Sequence, residues 1–469
     1  MSKFFVLSSV IFLTACAVGK DYQEPVTALP SSFSQAQNGL FSNNDVAVSW
    51  WQIFQDKQLN TLINQSLKHN YDIQAASATL REARELYSQA EYNFFPTVTA
   101  KASYIEQQRS VGALNNRDIV PRDLKLFNMG FDAIWELDLF GRIERSVESS
   151  RDEMQAQEAT LRDVSVSVIA EIARNYFELR GLQNQLLVLK ENIDYQTQLL
   201  DLIRVKFNNG RGTQFDVVNA AAQLDNLRST EPNLTAAIQN TIHQLSVLTG
   251  QIPSALTQEL STVAPLPAAP KTLAIGKPEA LLRRRPDIKI AERLLASSTA
   301  KIGVATADLF PKVTFVGNIS LESTFISNLV GAGSQSYSFG PRISWAAFDL
   351  GRVYARMKAA DANAEANLAR YQQTVLNALE ETENALNNYN HSLQSQLLLE
   401  SSAKASEQAR TLELLRYEKG ASDFSRVLDS QLQLVRYQSQ LAQNKTTTAT
   451  TLTALYKALG GGWEIIEKK

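Results

Sequence analysis

Four stretches of the chain alternate apolar and polar residues with a period of two. The clearest, residues 127–140, reads FNMGFDAIWELDLF. Phe127, Met129, Phe131, Ala133, Trp135, Leu137 and Leu139 share one face, and only Ile134 and Phe140 break the polar series opposite. That run is longer than a typical globular strand and suits a tilted transmembrane strand with an apolar outside and a polar lumen. Its partner follows Pro96, where Val98, Ala100, Ala102 and Tyr104 share a face. Val313, Phe315, Gly317, Ile319 and Leu321 repeat the pattern, and a weaker strand, interrupted by Pro341, spans about 338–348. Polar loops near 109–123 and 323–336 join each pair.

Elsewhere the pattern turns helical. Residues 141–208 contain no proline and one interior glycine, Gly181; 352–419 contain neither. Such a run is about 100 Å long if unbroken. Leu182, Leu186, Leu189 and Ile193, then Leu200, Ile203 and Phe207, recur at heptad-like intervals, which predicts side-by-side helix packing. Shorter helices are predicted over 59–94, 213–249, 286–309 and 422–459.

The architecture is written twice, about 210 residues apart. Asp72-Ile73 precedes Phe95-Pro96 as Asp287-Ile288 precedes Phe310-Pro311. Trp135 leads to Gly141-Arg142 as Trp345 leads to Gly351-Arg352, and Gly210 has its counterpart in Gly420. A period this large is a tandem duplication of one complete unit, not a solenoid. The predicted fold class is mainly α with membrane β. Four strands cannot close, and open edges cannot face lipid because their backbone groups would lack partners. Three chains would supply a twelve-stranded barrel, with the helices continuing it as a hollow cylinder.

The predicted organisation is a signal peptide at 1–15, an N-terminal segment at 16–56, a helix at 57–96, a first barrel hairpin at 97–140 and a helical hairpin at 141–250. A linker at 251–285 leads to a helix at 286–310, a second barrel hairpin at 311–350, a second helical hairpin at 351–459 and a tail at 460–469. Trp135 and Trp345 sit near strand ends, where they serve either a headgroup belt or a core; the pattern leaves both open.

Composition narrows the class. Lys and Arg number 46 against 48 acids, so nothing suggests a nucleic-acid surface. Beyond the N-terminus no run approaches the roughly 18 apolar residues of a spanning helix, which excludes a helical inner-membrane transporter. Lys3 and the apolar stretch 4–13 form a targeting element, and Leu13-Thr14-Ala15-Cys16 resembles the lipobox of bacterial lipoproteins. That resemblance implies cleavage before Cys16, lipid on its sulfur and its new amine, and, with Ala17 rather than Asp next, passage to the outer membrane. Cys16 is the only cysteine, so no intramolecular disulfide forms. His69, His243 and His391 are scattered without metal-ligand spacing, and no P-loop, dinucleotide fingerprint or nucleophile elbow occurs. Neither an enzyme nor a cofactor is expected.

At the turns between long and returning helices, Phe207 leads through Gly210 to Thr213 and Asp216. Gly210 suits a left-handed C′ position, and Thr213 with Asp216 reads as a capping box. The second turn runs from Tyr417 through Gly420 to Ser422 and Asp423, with Ser422 as the expected cap. Asp429 follows; a charge there usually marks a solvated face, but one inward Asp per chain in a threefold tube makes a ring of three carboxylates able to control an aperture, and the residues alone leave both open. Arg283-Arg284-Arg285 before Pro286 is assigned a structural role at a helix start.

The lipobox, Trp50-Trp51, the WELDLFGR run at 135–142, LLRRRPD at 281–287 and YKALGGGW at 456–463 together resemble the TolC-like outer-membrane efflux factor family, in its OprM/NodT-type lipoprotein branch. The resemblance covers essentially the whole mature chain. It implies a trimeric twelve-stranded outer-membrane barrel continuous with a twelve-helix periplasmic tunnel. It also implies a periplasmic adaptor docked at the two helix turns and an inner-membrane pump of the resistance-nodulation-division type. The family's gating Asp falls on Asp429. Ser425 and Leu432 depart from the usual Leu and Arg beside it. The rival readings are a periplasmic coiled-coil adaptor lipoprotein and the duct of a type I-like secretion system.

Overall fold

The structure, a computed structural model, describes residues 17–35, 39–110, 112, 122–270 and 272–463. The signal peptide and Cys16, most of the first predicted strand loop and residues 464–469 lie outside the described residues.

In chain order the elements are β1 (Phe41–Ser42), α1 (Lys57–His69), α2 (Tyr71–Glu91), β2 (Thr97–Gln108), β3 (Asp123–Leu137), α3 (Arg142–Asn208), α4 (Gln214–Leu248), α5 (Thr257–Leu260), β4 (Leu273–Ala274), α6 (Pro278–Arg284), α7 (Pro286–Ala307), β5 (Lys312–Ser323), β6 (Gln335–Ser344), α8 (Leu350–Glu418) and α9 (Phe424–Ala458). The chain divides into two compact units, 1–26 with 80–157 and 291–371, and 27–79 with 158–290 and 372–469.

The first unit holds a four-stranded antiparallel sheet in the order β2-β3-β5-β6. The two hairpins join through β3 and β5, with Phe131 opposite Ile319 and Trp135 opposite Phe315. β2 and β6 remain as edges. One end of the sheet leads into α3 and α8; at the other, β2 turns into β3 and β5 into β6. The last strand is shifted from its predicted span, beginning at Gln335 and ending at Ser344. Pro341 sits on an edge strand, where its missing N–H costs no ladder bond.

The second unit contains the main hydrophobic core. Trp50 stacks on Tyr456 at 5.0 Å and meets Trp51 edge-on at 5.8 Å. Around them pack Leu59, Ile63, Ile169, Tyr176, Phe177, Ile242 and Leu452. A smaller cluster gathers Leu199, Leu200, Ile203, Leu224, Tyr417, Phe424, Val427 and Leu428. A parallel pairing of β1 with β4 had no sequence signal, being two residues a side.

The helix predicted over 57–96 is broken. Asn70 leaves helical geometry at ψ 131. Its Oδ1 caps the next helix by accepting from the N–H groups of Asp72 and Ile73, and its Nδ2 donates to the carbonyl of Leu248 at 2.9 Å. Arg285 takes the same place in the second copy, as a donor only. It separates α6 from α7, and its Nη1 donates to the carbonyl of Ala458 at 2.9 Å. Both acceptors are the last residues of returning helices, so the duplication extends to individual hydrogen bonds. Two arginines of the triplet are structural, as expected: Arg285 also pairs with Asp287 and Glu381, each at 2.7 Å, while Arg284 donates to the carbonyl of Val46; Arg283 is exposed. Burial of Arg285 disfavours its charge, but the two carboxylates outweigh it and raise its pKa.

Candidate functional site: sheet faces and helix turns

The ladder register sorts the sheet into two chemically distinct faces. Val98, Ala100, Ala102 and Tyr104 of β2 lie opposite Ala133, Phe131, Met129 and Phe127 of β3. Those continue into Gly317, Ile319 and Leu321, and then into Phe339 and Tyr337. Phe131, Ile319, Tyr337 and Phe339 are all more than half exposed, a contiguous apolar surface that requires an apolar covering.

The opposite face is a polar network. Lys101 pairs with Asp132 at 2.9 Å, and Asn318 donates to the same carboxylate at 2.6 Å. Asn128 donates to Glu322 at 2.9 Å. Such exposed pairs contribute little stability, but they fix a hydrated wall of mixed charge. The two apolar exceptions of the 127–140 run have their own explanations, while Ile105 and Leu126 pair on this face nearer the turn from β2 to β3. Ile134 pairs across the ladder with Val316, and Phe140 stacks on Phe310 at 4.6 Å.

Trp135 and Trp345 are not core residues. They are 38% and 55% exposed, and each indole N–H donates to a helix-to-strand corner, Trp135 to the carbonyl of Phe94 and Trp345 to that of Leu309, both at 2.9 Å. The acceptors are repeat equivalents. An exposed ring anchored by its N–H, beside an apolar face, fits a headgroup position.

At the helix turns Gly210 and Gly420 adopt φ of 70° and 75°, the left-handed region that glycine enters without strain. Arg211 N donates to the carbonyl of Lys206 and Ala421 N to that of Arg416, so both helices end in the same Schellman closure. The predicted capping box is present: Thr213 Oγ1 accepts from Asp216 N, and Asp216 Oδ2 accepts from Thr213 N at 3.1 Å. The expected role of Ser422 is corrected. Helix α9 starts one residue later with Asp423 at its N-cap, without a side-chain cap bond, because the Ser422 hydroxyl donates to Glu413 instead.

The structure brings the two turns together. Lys206 of α3 lies 3.7 Å from the Tyr417 ring centroid, its Nζ donates to the Tyr417 carbonyl at 3.3 Å, and Tyr417 packs against Phe424 at 5.9 Å. Burial, with Asp216 nearby, raises the Tyr417 pKa, so this phenol stays neutral. Phe207 is 37% exposed at the same end. Ser425, Asp429 and Leu432 form one exposed stripe of α9, pointing away from buried Phe424, Val427, Leu428, Gln431 and Leu434. The spacing of four and three residues is that of a single helix face.

Sequence reasoning missed a polar seam between the two hydrophobic clusters. Asn192 donates to Gln438 at 3.0 Å and accepts from Gln431 at 3.3 Å, while Gln185 donates to Gln443 at 3.1 Å. Asn192 and Gln196 are almost fully buried. The one clue was Gln196, which falls in the gap in the apolar series between Ile193 and Leu200.

No helix among the described residues is long and apolar enough to cross a membrane, and they include no group of His, Cys, Asp and Glu able to hold a metal ion.

The comparisons with known proteins agree with this geometry. The family model described as outer membrane efflux protein matches residues 62–251 and 278–461, one stretch in each repeat copy. Nodulation protein T of Rhizobium leguminosarum bv. trifolii is 29% identical over 463 residues, covering 98% of this chain and 97% of the relative. The cation efflux system protein CusC of Escherichia coli K12 is 28% identical over 457 residues, covering 96% and 97%. Among solved structures, the outer-membrane channel OprN superposes with a TM-score of 0.90 at 38% identity, covering 96% of this chain and 100% of that one. The two-faced sheet, the duplicated helical hairpins and these matches place the chain in the outer membrane efflux protein family, located in the outer membrane.

Proposed function

We propose that the chain forms, as a homotrimer, the passive exit duct of a tripartite efflux system. The observation that carries this reading is the sheet: one face is mainly apolar, the other mainly polar, and both edges are open. Facing lipid, unpaired edge groups would cost several kcal/mol each, so closure must come from other copies. Three copies supply twelve strands with the polar face toward a lumen and the apolar face toward lipid. The tunnel is continued by α3 and α8, which at 67 and 69 residues are each about 100 Å long.

In this reading lipid on Cys16 anchors the chain, with no cofactor, and the turns around Phe207–Asp216 and Tyr417–Asp423 dock the hairpins of a periplasmic adaptor. An inner-membrane transporter of the resistance-nodulation-division type supplies the energy. Ser425, Asp429 and Leu432 line the periplasmic constriction. Three converging carboxylates attract cations and repel one another, which couples aperture to partner binding. Drugs and cations are both cargo classes consistent with a wall of mixed charge.

The rival, a coiled-coil adaptor lipoprotein, is disfavoured by two helical hairpins per chain and a membrane-type sheet. Cys16→Ser separates the two. The duct should still require detergent and conduct ions in planar bilayers; a water-soluble, non-conducting protein would favour the adaptor.

A further inference from the structure

The turn between β5 and β6 carries apolar residues that neither the sheet nor the proposed gate uses. Phe325, Ile326 and Val330 are 67%, 68% and 85% exposed. They sit on a loop folded by its own bonds. Ser323 Oγ accepts from Phe325 N, a 3-10 turn spans Ile326–Asn328, and Gly331 N donates to the carbonyl of Asn328 at 3.0 Å. The loop therefore displays these side chains in a defined arrangement.

Its lean can be read from the ladder. Ser336 pairs with Ser320 on the polar face, and Ser334, two residues earlier, shares that face. Ser334 is only 6% exposed, its Oγ donates to the carbonyl of Gly331 at 2.8 Å, and its carbonyl accepts from Glu322 N at 2.7 Å. The loop thus folds over the polar side, at the end of the sheet opposite α3 and α8.

We propose that Phe325, Ile326 and Val330 meet their counterparts from two further copies and form an apolar seal across the outer mouth of the lumen. This rests on the trimeric reading above. Twelve strands about 4.8 Å apart, tilted about 40°, close a ring of roughly 12 Å radius. Half of the loop, about six residues at ~3.3 Å each, reaches ~20 Å extended and ~10 Å folded, enough to approach the axis. An apolar constriction of this kind closes by dewetting and opens without any charge needing a partner. The occupant is a second and third copy of the same loop, because the polar face over which it leans cannot border lipid.

The test is disulfide trapping in isolated outer membranes. Cys16 is the only native cysteine, so an added thiol reports alone once Cys16 carries lipid. Oxidation of Val330→Cys with copper phenanthroline should give a covalent dimer containing up to two of every three chains. That bond requires Cα atoms within about 7 Å. Phe339→Cys, on the apolar face, should give none. A Val330→Cys protein that native mass spectrometry shows as a trimer but that yields no dimer would overturn the seal. So would equal trapping at Phe339→Cys, which reports random collision. If the unoxidised protein is not a trimer, the reading beneath fails, and the seal falls with it.

Discussion

At the residue scale, the stripe of Ser425, Asp429 and Leu432 owes its exposure to the apolar positions of α9 facing the other way. The carboxylate is thus free to face other copies. Asp429→Ala removes three charges from the proposed constriction, and single-channel conductance should rise several-fold while cation block weakens; unchanged values would remove Asp429 from the gate. Asp163 offers a test independent of transport. Burial raises its pKa, with repulsion from Asp287 adding to the shift. A raised acid favours the protonated folded state, so its cost is absent below the ordinary value of about 3.9 and grows as pH rises through the raised one. Asp163→Asn should therefore raise the melting temperature at pH 7 and leave it nearly unchanged at pH 3.5, as thermal scans in detergent would reveal.

Among the elements, the polar seam and the turn contacts govern how the two hairpins hold together. Asn192→Ala would leave buried Gln431 and half-buried Gln438 without a shared partner, at a cost of about 1–3 kcal/mol. A lower melting temperature with the oligomer intact is the expected outcome. Lys206→Met keeps the aliphatic stem but loses the cation over Tyr417, worth about 1 kcal/mol. If this contact helps hold the turns closed, more frequent openings in bilayer recordings should follow; an unchanged or lowered open probability would contradict that. Long helices, strands and turns were legible because each rests on local chemistry: period-two alternation, proline-free heptads, Gly210 and Thr213. The break at Asn70 was not, because Asn is tolerated in helices and its decisive bond, to Leu248, spans 178 residues. Ser422 misled for a similar reason. A serine before an acidic residue looks like a cap until Glu413, nine residues back, takes its hydroxyl.

For the whole molecule, the duplication is the strongest legible feature, and it persists into bonds the sequence does not display. Asn70 and Arg285 share no chemistry beyond a donor, yet each holds the end of a returning helix. Trp135 and Trp345 likewise anchor equivalent corners. The proposed constriction is only half legible, since residues meeting across copies would leave no periodic mark within one chain. The account depends on a sheet that is complete in register but incomplete in closure. Native mass spectrometry of the detergent-extracted protein tests this most directly. Three chains per particle are expected; a stable monomer that retains its strands would contradict the account.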